Sequence, residues 1–184
     1  MPDDNGDFSG YLLDGERITW SGAPASGLLL TARDWLLIPF SLFWGGFTIF
    51  WESRVVTAGA PLFFVLWGVP FLLMGVFLTV GRFVADAWLR GGTRYALTNQ
   101  RILINRTGAF AKFTALSLDN LPDVQITPGS NGRGTVRFGT QTPLWGRGGF
   151  AYWMPSLEPT PQFLAIDDAE HVFTRIQQAI RRRG

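Results

Sequence analysis

The 184-residue chain has no cysteine, one histidine (His171) and one lysine (Lys112). Without cysteine there is no disulfide, no thiolate nucleophile and no thiolate metal ligand. One imidazole with scattered carboxylates is a poor zinc set, because zinc sites draw on several Cys and His side chains. No serine sits in a Gly-x-Ser-x-Gly elbow and no nucleophile–base pairing is visible. We therefore expect no catalytic, metal or cofactor-binding residues and a protein that is not an enzyme. Fifteen of the sixteen basic residues are arginine, which reads as genome composition rather than function. Charge is scarcest between Trp35 and Gly81, where only Glu52 and Arg54 interrupt two apolar runs.

The runs are residues 35–51, WLLIPFSLFWGGFTIFW, and residues 55–81. An unpaired charge at a bilayer centre costs roughly 2.5–3.5 kcal/mol or more, so lipid, not water, explains the blank. The pattern predicts a membrane hairpin with the lipid bilayer as partner: one transmembrane helix over 35–51, a short external connector over 52–60, and a second over 61–81. At about 1.5 Å per residue the first span covers roughly 25 Å, slightly short of a ~30 Å hydrocarbon core. Trp35 and Trp51 mark its ends, Asp34 is placed to cap it, and Pro39 falls in its first turn. Pro61 suits a first helical residue. Pro70 deprives the Leu66 carbonyl of its partner and predicts a kink. Gly45, Gly46, Gly68 and Gly75 would let the helices approach closely. With no ionisable group placed inside a span, transport is not expected.

Arg17 and Arg33 precede the hairpin, Arg82, Arg90, Arg94 and Arg101 follow it, and the connector holds only Arg54 beside Glu52. The positive-inside rule then puts both termini in the cytoplasm. The acidic N-terminus lacks the basic region of a cleavable signal, and residues 1–9 are expected to be disordered. Within the N-terminal segment 1–34, a strand near 16–20 is expected to dock on the later domain. Over 82–92 a helical stem is expected. Arg82, Asp86 and Arg90 stand at i, i+4 and i+8, an ion-pair ladder along one face, with Phe83 and Trp88 as apolar surface at the lipid boundary.

From Thr93 the pattern turns to short alternating runs. Tyr95 and Leu97, then Ile102 and Ile104, flank a turn near Asn99-Gln100, either a two-residue turn or a four-residue type I turn. Further strands are predicted at 110–118, 124–126, 135–138 and 163–166. A helix over about 168–182 begins at Asp167 or Asp168 and ends in Arg181-Arg182-Arg183, with Val172, Phe173, Ile176 and Ile180 on one face. The arginines at its end suit the helix dipole, with anionic lipid as the alternative. Gly132-Arg133-Gly134 and Gly146-Arg147-Gly148-Gly149 precede no helix in the phosphate-loop manner and read as turns. His171 reads as structural.

Three pieces share a wider pattern. They are Gly15-Glu16-Arg17-Ile18-Thr19-Trp20-Ser21-Gly22-Ala23-Pro24, then Arg94-Tyr95-Ala96-Leu97-Thr98-Asn99-Gln100-Arg101-Ile102, then Ser117 to Gly139. In this order around two helices, the chain from residue 12 resembles the bacterial membrane-anchored PH-like proteins, a membrane-flanked domain family that is largely uncharacterised. The resemblance implies an α+β/all-β cytoplasmic domain over 93–184: a PH-like antiparallel barrel of seven strands in two sheets with a C-terminal amphipathic helix, carried by the α-hairpin in a bacterial cytoplasmic membrane. It marks Gly15, Glu16, Trp20, Gly22, Pro24, Tyr95, Leu97, Thr98, Asn99 and Arg101 as structural. Related proteins are associated with oligomeric assembly and with partnering other membrane complexes. The phosphoinositide site of eukaryotic PH domains is not carried over, because the first hairpin turn has only Arg101 near it.

The 23 residues 139–161 are the candidate functional surface by composition, since a long loop with this many rings must bury them somewhere. Trp145, Arg147, Phe150, Tyr152 and Trp153 are the candidate contacts, against the domain itself, the membrane or a partner. Residues 82–184 carry thirteen basic and seven acidic groups, and residues 1–34 two and six. A basic cytoplasmic domain suits an anionic leaflet. Nucleic acid is not expected, because the basic residues are scattered. The expected function is non-enzymatic binding or scaffolding at the membrane, through self-association or another membrane protein. The alternatives are an anionic-lipid surface sensor and, less favoured, an enzyme on a membrane substrate.

Overall fold

A computed structural model of the chain describes residues 8–129, 132–140 and 152–182. The chain divides into two compact units, Leu28–Ala85 and a unit made of Met1–Gly27 with Asp86–Gly184.

In the first unit, α1 (Asp34–Thr57) is followed by α2 (Leu62–Val76), then a π-helical turn at Phe77–Gly81 that leads into α3 (Arg82–Gly91). Both helical stretches exceed the expected spans. Glu52, Ser53 and Arg54, expected in the connector, lie inside α1, and the link shrinks to residues 58–61. Nothing there breaks a helix, and hydroxyls close the last turns: Ser53 Oγ donates to the Phe50 carbonyl and Thr57 Oγ1 to the Ser53 carbonyl. Pro61 is the N-cap of α2 rather than its first residue. Pro39 lies beyond the first turn, and α2 is continuous through Pro70.

The contact between α1 and α2 is small and polar. Asp34, Ser41 and Thr48 recur every seven residues on α1 and are buried, as are Gly68 and Gly75 on α2. Seven residues are nearly two turns, so each set stays on one face. A methyl added at Gly75 would lie 3.2 Å from the Gly45 Cα and from Thr48 Oγ1, and one at Gly68 would overlap the Glu52 carboxylate. Gly46 has open space instead. Glu52 is thus an ionisable group inside the helix pair, where none was expected. Asp34 does not cap α1. Its Oδ2 accepts from Thr31 N at 2.6 Å and Thr31 Oγ1 at 2.9 Å, and its Oδ1 pairs with Arg82 Nη1 at 2.7 Å.

The remaining faces are apolar and uncovered: Trp35 is 90% exposed and Phe43 75%. Two helical stretches, Asp34–Thr57 and Leu62–Gly91, are long and apolar enough to cross a membrane, with mean hydropathy 1.2 and 2.3 and only 17% of each apolar window buried. A core helix of a water-soluble domain would be mostly buried.

Among the described residues the second unit holds seven strands. β1 (Ile18–Gly22), β2 (Thr93–Thr98), β3 (Arg101–Arg106) and β4 (Lys112–Ser117) form one antiparallel sheet in that order. β5 (Val124–Pro128), β6 (Gly134–Phe138) and β7 (Gln162–Ile166) form another. The two sheets are not closed into the expected barrel. Beyond its pairing with β6, β7 makes isolated bonds instead of a ladder: Leu164 N donates to the Tyr95 hydroxyl at 3.1 Å, and the Ala165 carbonyl accepts from Ala25 N. Ala165 has φ 47°, which breaks the extended run at that edge.

Between the sheets lies a core of Tyr95, Leu97, Ile102, Val136, Phe138 and Phe163, closed by Val172 and Ile176 of α4 (Ala169–Arg181). Phe163 is its centre, with ring centroids at 4.7 Å from Tyr95, 5.1 Å from Phe138 and 5.3 Å from Trp20. Phe173 and Ile180 are only partly buried. Asp168 stands at the helix start in the left-handed region and makes no side-chain cap. The outer face of the four-stranded sheet is also covered. Phe8, expected to be disordered, is 1% exposed and packs with Ala96 and Leu103, flanked by Leu12 and Ile18. Residues 1–7 lie outside the described residues.

Candidate functional site

Five of the motif residues, Gly15, Glu16, Thr98, Asn99 and Arg101, converge on one clasp between the N-terminal segment and the β2–β3 hairpin. Thr98 Oγ1 accepts from Gln100 N at 3.0 Å and Arg101 N at 2.8 Å, which fixes the tight Asn99-Gln100 turn. The same hydroxyl donates to Glu16 Oε1 at 2.7 Å. Arg101 grips both Glu16 oxygens, Nε to Oε1 at 3.1 Å and Nη2 to Oε2 at 2.6 Å, and Leu13 N donates to Oε2. This two-pronged guanidinium holds the Glu16 carboxyl down at about 2, against an ordinary 4.5. Asn99 Oδ1 and N bracket the Arg17 backbone at 2.8 and 3.0 Å. Gly15 supplies the φ of +75° that turns the chain into the clasp.

Trp20 and Gly22 are two apart on β1 and share a face. The indole lies over Gly22, where an added methyl would come within 2.5 Å of the ring. Leu97 and Pro24 are buried. Burial pushes the Tyr95 phenol up, partly opposed by the Leu164 N–H that it accepts.

Of the Arg82, Asp86 and Arg90 set, all three are buried rather than lining a solvated face. Arg90 Nε donates to Asp86 Oδ2 at 2.9 Å, and its Nη groups reach the carbonyls of Ala25 and Gly27. Asp86 Oδ1 accepts from Ser156 N at 2.9 Å. Arg82 turns to Asp34.

This places the 3₁₀ turn Pro155–Leu157, from the aromatic 139–161 segment, onto the domain. Within that segment Met154 is buried, and Tyr152 and Trp153 are half-buried with rings edge to face at 5.9 Å. Packing on the domain describes residues 152–161. Trp145, Arg147 and Phe150 lie outside the described residues.

Behind the 155–157 turn is a cavity of about 60 Å³, lined by Arg90, Arg106, Lys112, Thr114, Ser156 and Glu158 among others. Sequence reading missed it, because its walls come from α3, the β3–β4 hairpin and the 155–162 segment. The available signal was weak: Arg106 and Lys112 flank a short turn marked by Gly108. Those two residues are direct partners in the β3–β4 register. Arg106 is half-buried, with Nε to the Phe110 carbonyl at 2.8 Å and Nη1 to the Ser156 carbonyl at 2.6 Å. Burial lowers its pKa, partly opposed by the nearby Tyr95 phenol.

Other sequence-level candidates fall on surface contacts. Arg133 pairs with Asp167 at 3.0 Å, and Arg175 Nε donates to His171 Nε2 at 2.9 Å. No cluster of three or more metal-ligating side chains occurs among the described residues. Comparison of the chain with protein-family models, with curated proteins and with solved structures finds no match.

Proposed function

We propose that the chain is a non-enzymatic, membrane-anchored binding module. In this reading two spans are inserted between β1 and β2 of a PH-like domain that faces the cytoplasm of a bacterial inner membrane, with both termini inside. The observation that carries it is the exposure of the two apolar helices, with only 17% of each window buried, within a chain whose other unit resumes on either side of them. Lipid is the solvent that suits such faces. Seven antiparallel strands in two sheets with a C-terminal helix, among the described residues, support the PH-like reading, as does the joining of Gly15, Glu16, Thr98, Asn99 and Arg101 in one clasp. The partner is a second copy or another membrane protein, held close to the leaflet by the hairpin.

The absence of native cysteine makes topology directly testable. Single variants Ala58→Cys and Thr174→Cys are labelled in intact cells with a membrane-impermeant maleimide. Position 58 should react from outside and position 174 only after lysis; reaction of position 174 in intact cells would overturn the topology. For the binding role, crosslinking in native membranes should capture dimers or a partner, and the Trp145→Ala/Trp153→Ala variant tests the aromatic segment. A protein that crosslinks only as a monomer would count against scaffolding.

A further inference from the structure

Two positive charges stand directly opposite each other at the end of the β3–β4 ladder. Arg106 and Lys112 are register partners and both line the cavity behind the 155–157 turn. Like charges directly opposed on adjacent strands are destabilising unless a counter-charge joins them. Here Arg90 is already occupied by Asp86 and by two backbone carbonyls. Glu158 lines the same cavity and offsets one charge, which leaves an excess of one.

Donors remain available. A guanidinium has five N–H groups, and Arg106 uses two, on the Phe110 and Ser156 carbonyls. Lys112 Nζ and the Thr114 hydroxyl hold no hydrogen bond among the described residues, and Thr114 also lines the cavity. The volume, about 60 Å³, is several times the ~10–15 Å³ that one water requires.

We propose that this cavity binds one singly charged phosphate group, presented either by an anionic lipid headgroup or by a soluble phosphate. Planar and point cations side by side suit tetrahedral oxyanions. Beside the cavity, Trp88 is 62% and Phe110 52% exposed, and Trp88 lies within 3.9 Å of a methyl built on Gly108. Exposed aromatics of this kind favour the headgroup region of a bilayer. The lipid source rests on the membrane anchoring proposed above; the soluble source does not.

Lys112 is the only lysine, so its acylation by an amine-reactive ester, mapped by peptide mass spectrometry, reports directly on the cavity. The full chain is held in phosphatidylcholine nanodiscs and treated with inorganic phosphate, or with chloride at equal ionic strength. In parallel, phosphatidylglycerol replaces part of the lipid. A bound phosphate group should slow acylation about three- to tenfold. Arg106→Gln should abolish the protection, Thr114→Val should weaken it, and Arg17→Gln, outside the cavity, should leave it intact. Protection by phosphatidylglycerol alone assigns the lipid source, and protection by inorganic phosphate assigns the soluble one. If neither slows acylation in the unaltered chain, or if Arg106→Gln and Thr114→Val are both protected equally well, the proposal fails. Failure of the membrane reading would appear separately, as a chain that does not enter nanodiscs yet is still protected by inorganic phosphate.

Discussion

Glu16 shows how one carboxylate fastens two distant pieces of chain. It accepts from Thr98, Leu13 and both prongs of Arg101, and its folded pKa lies at about 2, below the ordinary 4.5. Its contribution is therefore fully present above pH 4.5 and is lost as pH falls through about 2. Glu16→Gln should cost about 1–3 kcal/mol at neutral pH, the range for losing charge-assisted hydrogen bonds. The gap between variant and parent should close between pH 4.5 and 2, as read by parallel unfolding curves in detergent. A gap that persists unchanged at pH 2 would mean that the carboxylate charge is not what stabilises. The pairing itself was hidden in the sequence, where Glu16 and Arg101 are two charged residues in separate motifs.

For the helices, the informative pattern is the seven-residue repeat of small and polar side chains in otherwise apolar runs. It brings Gly75 against Gly45 and leaves Gly46 facing open space. Gly75→Leu should separate α1 from α2 and cost about 1–3 kcal/mol, whereas Gly46→Leu should be nearly neutral; thermal unfolding in detergent compares them. Equal effects would show that glycine content rather than contact matters. The strands were legible because alternation and turn residues are local properties: Tyr95, Leu97, Ile102 and Ile104 around Asn99-Gln100 announce a hairpin without reference to anything else. Helix ends were less so. Asp34 has the chemistry of a cap, yet its carboxylate is taken by distant and preceding groups instead: one oxygen by the buried Arg82 guanidinium, the other by the Thr31 N–H and hydroxyl.

The whole chain is organised as one discontinuous domain interrupted by an apolar hairpin. Replacing residues 28–85 by a short Gly/Ser linker should therefore leave a water-soluble domain with its two sheets and α4 intact. Circular dichroism and gel filtration would show a folded monomer, and removing residues 8–13 from it should expose Ala96 and Leu103 and promote aggregation. If the linker variant does not fold, the hairpin is part of the domain's stability and not merely an insertion.

Composition and periodicity alone settled the two apolar helices, the seven strands and the amphipathic final helix, because each depends on residues within a few positions of one another. Tertiary contact decided the rest. It laid Phe8 on the outer face of the first sheet, left the two sheets open at β7, sent Asp34 to Arg82, and gathered Arg106, Lys112 and Ser156 around one cavity. Those outcomes depend on which distant groups compete for a buried charge, an unpaired strand edge or an uncovered apolar face, and no short window of sequence contains both competitors.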